Sequence, residues 1–149
     1  ISLNFNFAYM KLLRFFDGDV LRATYFTALP DKSVHSTIRP LIDKLAHNGY
    51  RLVTKPKSEY VNNGVRKMKG NMNLEIAVHI IEQSKFVSDI VLLSGDGDFL
   101  CVVDHVQRAY GVRVHCMSSS KFINHELRLQ CDSYIDIGDE EVQAELRLY

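Results

Sequence analysis

The chain has 149 residues, 46% of them hydrophobic, and its 18 Lys and Arg are balanced by 18 Asp and Glu. That is the size of one globular domain able to bury a core. Neutrality excludes bulk attraction to a polyanion, so any contact with nucleic acid has to come from a local patch.

The three cysteines, Cys101, Cys116 and Cys131, are widely separated and odd in number. They suit neither a disulfide framework nor a zinc motif and read as reduced core or near-core thiols of a cytoplasmic protein. No apolar run approaches the roughly 20 residues of a membrane span, and no signal segment opens the chain, so no membrane partner is expected.

The chain opens inside an apolar alternating stretch, Ile1-Ser2-Leu3-Asn4-Phe5-Asn6-Phe7, without an initiator methionine. A doubly wound sheet normally starts with a central strand. The expectation is a single domain over residues 1–149 that lacks its first strand and helix upstream of Ile1. Val20 to Leu29 reads as a strand closed by Pro30 and Asp31. Ser33 can cap a helix to His47, with Ile38, Leu41, Ile42 and Leu45 on one face and Asn48-Gly49 as its stop. Tyr50 to Thr54 returns as a strand. Lys55 to Gly70 is polar and basic, with Lys55, Lys57, Arg66, Lys67 and Lys69, and reads as a long loop or irregular hairpin.

Asn73 to Gln83 resumes a helical pattern through Leu74, Ala77, Val78 and Ile81. Ile90 to Leu93 is apolar without alternation, as in a strand buried on both faces. Asp98 to Tyr110 carries Phe99, Val102, Val103 and Val106 on one helical face. A strand over Gly111 to Met117, a short helix from Phe122 to Leu129, a strand over Tyr134 to Ile137 and a helix from Asp139 to Leu148 complete the chain. Alternating strands and helices predict an α/β fold with a mainly parallel sheet covered on both faces.

Ser94-Gly95-Asp96-Gly97-Asp98-Phe99 sits where a buried strand turns into a helix. In an open α/β sheet that junction is where ligands bind. The glycines permit a tight turn close to a metal ion or phosphate, and two carboxylates suit a hard cation. The same residues also read as a turn followed by an acidic cap, with Asp98 on the first N–H groups of the helix. An EF-hand is excluded: counting from Asp96, the sixth position is Cys101 and the twelfth Gln107.

Lys69-Gly70-Asn71-Met72-Asn73, a helix, and Leu93-Ser94-Gly95-Asp96-Gly97-Asp98-Phe99 together resemble the NYN family, a branch of the PIN-like ribonuclease superfamily. The likeness runs through Tyr9 to Leu13, the Tyr25-Phe26 strand, the Gly111 to Val114 strand and the region from Leu127 to Asp132. It implies a three-layer α/β/α sandwich with an acidic pocket at the carboxyl edge of its parallel strands, holding Mg²⁺ or Mn²⁺ and cutting single-stranded RNA. Asp96 and Asp98 would be the metal ligands and, with Asn73, the catalytic set. Ser94 would orient one of them or a water, and Ser94, Arg66, Lys67, Lys69 and Lys121 would contact the RNA strand. A homodimer is a further expectation, with no interface specified.

Departures from the family pattern point to a second reading. The first-strand aspartate has no counterpart in this chain, Asn73 stands where the Lys-Gly motif usually ends in Asp, and His79 stands where another Asp is frequent. An amide oxygen brings no charge to a cation and imidazole is a poor partner for Mg²⁺. Glu75, two residues from Asn73, faces away from it on an ideal helix. The alternative is therefore a catalytically weakened RNA-binding or regulatory module. A phosphatase or nucleotide-binding protein is disfavoured because no phosphate-cradling glycine fingerprint occurs.

Overall fold

The computed structural model describes residues 8–16, 20–29 and 38–146. They fall into two compact units, one within residues 1–72 and the other within residues 73–147.

The first unit holds α1 (Ala8–Phe15), β1 (Ala23–Leu29), α2 (Ile38–His47), β2 (Tyr50–Pro56), β3 (Ser58–Asn62) and β4 (Val65–Lys69). β1 and β2 pair in parallel from Ala23 opposite Tyr50 to Leu29 opposite Pro56, with α2 as the crossover. α2 buries Ile42 and Leu45. Its C-terminus closes as the Asn48-Gly49 pair requires: Gly49 takes a left-handed φ of 88°, and the Asn48 side-chain amide donates to the Lys44 carbonyl at 2.6 Å. The expected cap at Ser33 lies outside the described residues.

Of the two readings of the segment after Thr54, a long loop or an irregular hairpin, the structure takes the hairpin and makes it regular. β2 runs on to Pro56, and Ser58 to Lys69 forms a regular antiparallel hairpin with Asn62 opposite Val65. The turn is Asn63-Gly64, both at positive φ, 51° and 75°. That is the combination a two-residue hairpin loop needs to match the twist of its strands.

The second unit holds α3 (Asn73–Gln83), β5 (Asp89–Leu92), a 3₁₀ turn (Gly97–Phe99), α4 (Leu100–Tyr110), β6 (Arg113–Ser118), α5 (His125–Gln130), β7 (Ser133–Asp136) and α6 (Glu140–Leu146). β5, β6 and β7 form one parallel sheet with β6 in the middle. Parallel strands alternating with helices in both units bear out the α/β reading.

The core of this unit joins Leu92, Val114 and Cys116 of the sheet to Ile80 of α3, Val102, Val103 and Val106 of α4, and Leu127 of α5, with Phe99 sealing the turn. The valines of α4 recur at one-face spacing, which is why this helix lies flat on the sheet. Gly111, at φ 67°, ends α4 and returns its N–H to the Gln107 carbonyl. Asp132 fastens the entrance to β7: its carboxylate accepts from the Val114 N–H at 2.8 Å and from Gln107 Nε2 at 2.9 Å. The registers of Leu92 with Cys116 and of Ser118 with Asp136 bring the carboxyl ends of all three strands to one edge.

Candidate functional site

The acidic turn lies at that edge, between β5 and α4. Asp96 is extended (φ −77°, ψ 123°), and its side chain accepts the Asp98 N–H at 3.0 Å. The cap is therefore Asp96, where the sequence had suggested Asp98. The difference follows from the 3₁₀ turn over Gly97–Phe99, which moves the start of regular helix back to Leu100 and makes Asp96 the half-in residue. Ser94 supports the same turn: its hydroxyl accepts the Asp96 N–H at 3.2 Å. The Ser94 carbonyl in turn receives the Cys116 thiol at 3.2 Å, tying the turn to the buried sheet.

Asn73, the first residue of α3, completes the cluster. Its amide nitrogen donates to Asp96 Oδ2 at 2.9 Å and to Asp98 Oδ2 at 3.2 Å. Two carboxylates thus converge on one point, held by a neutral donor. The Asp98 N–H and then the Asn73 amide hold the Asp96 carboxyl below the usual carboxylate range.

Packing also requires both glycines. A Cβ on Gly95 would stand 2.7 Å from the Ser118 hydroxyl and 2.9 Å from both the Ile123 Cα and the Phe122 carbonyl oxygen. A Cβ on Gly97 would stand 2.8 Å from the Asn124 amide nitrogen. The loop from Ser119 to Asn124 packs directly on the acidic turn, and the Asn124 N–H donates to the Gly95 carbonyl at 2.8 Å. Asn124 is also the cap of α5, through its side-chain oxygen on the Leu127 N–H at 3.0 Å. That helix begins at His125, so Phe122, expected as its first turn, lies in the preceding loop.

Ser118 and Asn124 are site neighbours that the sequence does not announce. Asp136, at the end of β7, accepts from the Ser120 N–H at 3.2 Å and the Gly138 N–H at 2.8 Å. The hydrogen bond from Ser120 leads in holding its carboxyl below the usual range. It closes its own turn, and among the described residues no three His, Cys, Asp or Glu side chains gather as a metal-holding group. The signal that could have found Asn124 is its spacing three residues ahead of Leu127 before an apolar position.

The remaining predicted residues belong to other elements. Lys121 is exposed in the Ser119 to Asn124 loop, its N–H on the Ser119 hydroxyl at 3.4 Å. Glu75 and His79 are half-buried on α3. Arg66, Lys67 and Lys69 belong to β4 of the first unit, opposite Val61, Tyr60 and Ser58. Among the cysteines, Cys116 and Cys131 are buried as expected, whereas Cys101 is exposed on α4. No helix among the described residues is long and apolar enough to cross a membrane.

The comparisons with known proteins fit this arrangement. The NYN domain profile matches residues 2–138. The Low amplitude and bright protein LabA of Synechococcus elongatus is 32% identical over 124 residues, which cover 81% of this chain and 64% of that protein. The chain thus spans slightly less than two-thirds of the length of this curated relative. A crystal structure of a protein of unknown function from Vibrio parahaemolyticus superposes with a TM-score of 0.74 at 22% identity, over 92% of this chain and 79% of that one. That likeness is one of fold.

Proposed function

The chain belongs to the NYN domain family, and on that premise we propose that it is a divalent-metal-dependent ribonuclease acting on single-stranded RNA, with Asp96 and Asp98 at its centre. The observation that carries this reading is the convergence of Asp96 Oδ2 and Asp98 Oδ2 on a single nitrogen, at 2.9 and 3.2 Å, beside the carboxyl edge of a parallel sheet. Phosphodiester cleavage needs positive charge at such a point, because charge develops on an already anionic group. The family profile covers most of both compact units, which supports treating them as one domain.

The residues present fit Mg²⁺ or Mn²⁺ modestly. Mg²⁺ keeps several waters and is commonly held by one or two carboxylates together with substrate phosphate. Asp96 and Asp98 would hold the ion, and Asn73, with its amide turned end for end, would offer a neutral oxygen. A bound ion supplies charge neutralisation and an activated water. The protein's own part is positional. Ser94 and the Asp98 N–H fix the Asp96 carboxylate, and Lys121 lies on the loop that supports the turn, available to a phosphate. Arg66, Lys67 and Lys69 are assigned to the RNA backbone on the strength of their clustering in sequence.

A second reading, an RNA-binding module with little or no turnover, is favoured by one observation: the group facing both carboxylates is an amide donor, which brings no negative charge. Cleavage of a labelled single-stranded RNA in Mg²⁺ or Mn²⁺, compared with Asp96→Asn, separates the two. The nuclease reading expects metal-dependent cleavage that the variant loses. Equal cleavage by both proteins would remove Asp96 from the mechanism, and RNA binding without cleavage would select the second reading.

A further inference from the structure

Phe122 is 62% exposed, so its side chain is open to a ligand. Hydrogen bonds hold the backbone around it. The Phe122 and Ile123 N–H groups both donate to the Ser119 carbonyl, at 2.9 and 3.1 Å, and the next N–H, that of Asn124, donates to Gly95 at 2.8 Å. Ile123 packs against the core of its unit, so the chain sends one apolar side chain inward and leaves its neighbour in solvent. The Phe122 carbonyl oxygen lies 2.9 Å from where a Cβ on Gly95 would stand, within the backbone that carries Asp96. Lys121, exposed, precedes it.

An exposed aromatic beside a cation, on a loop fastened to a candidate phosphodiester site, has the chemistry of a single-strand recognition element. The flat ring offers stacking to a nucleobase that has lost its neighbours, and the ammonium offers charge to the adjoining phosphate. Bases within a duplex already stack on one another and present no free face. We infer that Phe122 is the stacking platform of this site and takes an unpaired base of single-stranded RNA next to the Asp96 and Asp98 turn. The inference rests on the proposal that this site handles single-stranded RNA and adds to it the residue that receives an unpaired base.

The test is binding of the full chain to a fluorescent single-stranded oligoribonucleotide, and to the duplex of the same sequence, in EDTA so that cleavage does not interfere. Phe122→Ala is expected to weaken single-strand binding about tenfold, the loss of one stacked base, while Phe122→Tyr holds within about twofold. Duplex binding should be unchanged in both. A 2-aminopurine in the RNA should be quenched by the parent and by Phe122→Tyr but not by Phe122→Ala, a signature that a purely structural role would not produce. Equal single-strand affinity and quenching for the parent and Phe122→Ala would overturn the platform and leave the RNA assignment standing. Failure of the parent to bind any RNA would overturn both.

Discussion

Asn73 reaches across from the first turn of α3 to donate its side-chain amide to Asp96 Oδ2 at 2.9 Å. With the second contact to Asp98, this neutral group holds together two carboxylates that would otherwise repel. Asn73→Asp replaces the donor with a third anion. In EDTA the variant should be less stable by about 1 kcal/mol, the worth of a hydrogen bond at a half-exposed site, a fall in Tm of a few degrees. In millimolar Mg²⁺ the order should reverse, because the extra charge binds the ion more tightly and binding stabilises the folded state. Thermal melts of both proteins with and without Mg²⁺ check this. Equal Mg²⁺ shifts would place position 73 outside any cation site.

Gly95 and Gly97 differ in what blocks a side chain, and their alanine variants should differ accordingly. At Gly95 two of the close atoms, the Ile123 Cα and the Phe122 carbonyl oxygen, belong to backbone. Gly95→Ala must therefore push the supporting loop away, at a cost of about 1–3 kcal/mol. At Gly97 the nearest atoms belong to the Asn124 side chain. Gly97→Ala should cost about 1 kcal/mol, through the α5 cap that Asn124 then gives up. Urea unfolding of the two variants measures the difference, and a larger loss at Gly97 would contradict the packing described.

What could be read from the sequence was what depends on local pattern. α3 emerges with the bounds that its apolar spacing gives, Asn73–Gln83, because one-face periodicity is a local signal. The regular pairing of the β3 and β4 hairpin was obscured by its composition. Ser58 to Asn62 and Val65 to Lys69 carry too few apolar residues to show alternation, although Asn63-Gly64 between them is a hairpin turn by chemistry. The acidic turn shows the other kind of limit. Its two aspartates are visible in sequence, but the choice of Asp96 as cap depends on a single 3₁₀ turn. The need for glycine at position 95 arises from a loop more than twenty residues downstream, which no local signal reports.

The amino end of the three-stranded sheet is held by charge. Arg113 donates to both oxygens of Asp89, at 2.8 and 3.0 Å, and Ser88 and His115 also engage that carboxylate. The hydrogen bond from Arg113 leads in holding the Asp89 carboxyl far below its ordinary range. A carboxyl depressed on folding contributes stability that is fully present above its unfolded value, about 4, and is lost as the pH falls through the folded one. Asp132 and Asp136 are depressed as well. Urea midpoints should therefore fall below about pH 4, and Asp89→Asn should be less stable at neutral pH with a shallower acid decline. An acid limb of unchanged slope would remove Asp89 from this balance.

Thiol reactivity gives an independent view of how closed the second unit is. Cys101 is exposed on α4, whereas Cys116 and Cys131 lie in the core. The Cys116 contact and burial both push the Cys131 thiol up, away from the reactive thiolate. A disulfide reagent added to the native protein at neutral pH should therefore modify one thiol promptly, and Cys101→Ser should abolish that phase. Reaction of the other two should proceed at the rate at which the unit opens. Because the Cys116 thiol also donates to the Ser94 carbonyl, ligands that steady the acidic turn should slow the modification of Cys116. Prompt reaction of all three thiols in the native protein would show that the sheet beneath the acidic turn is open to solvent.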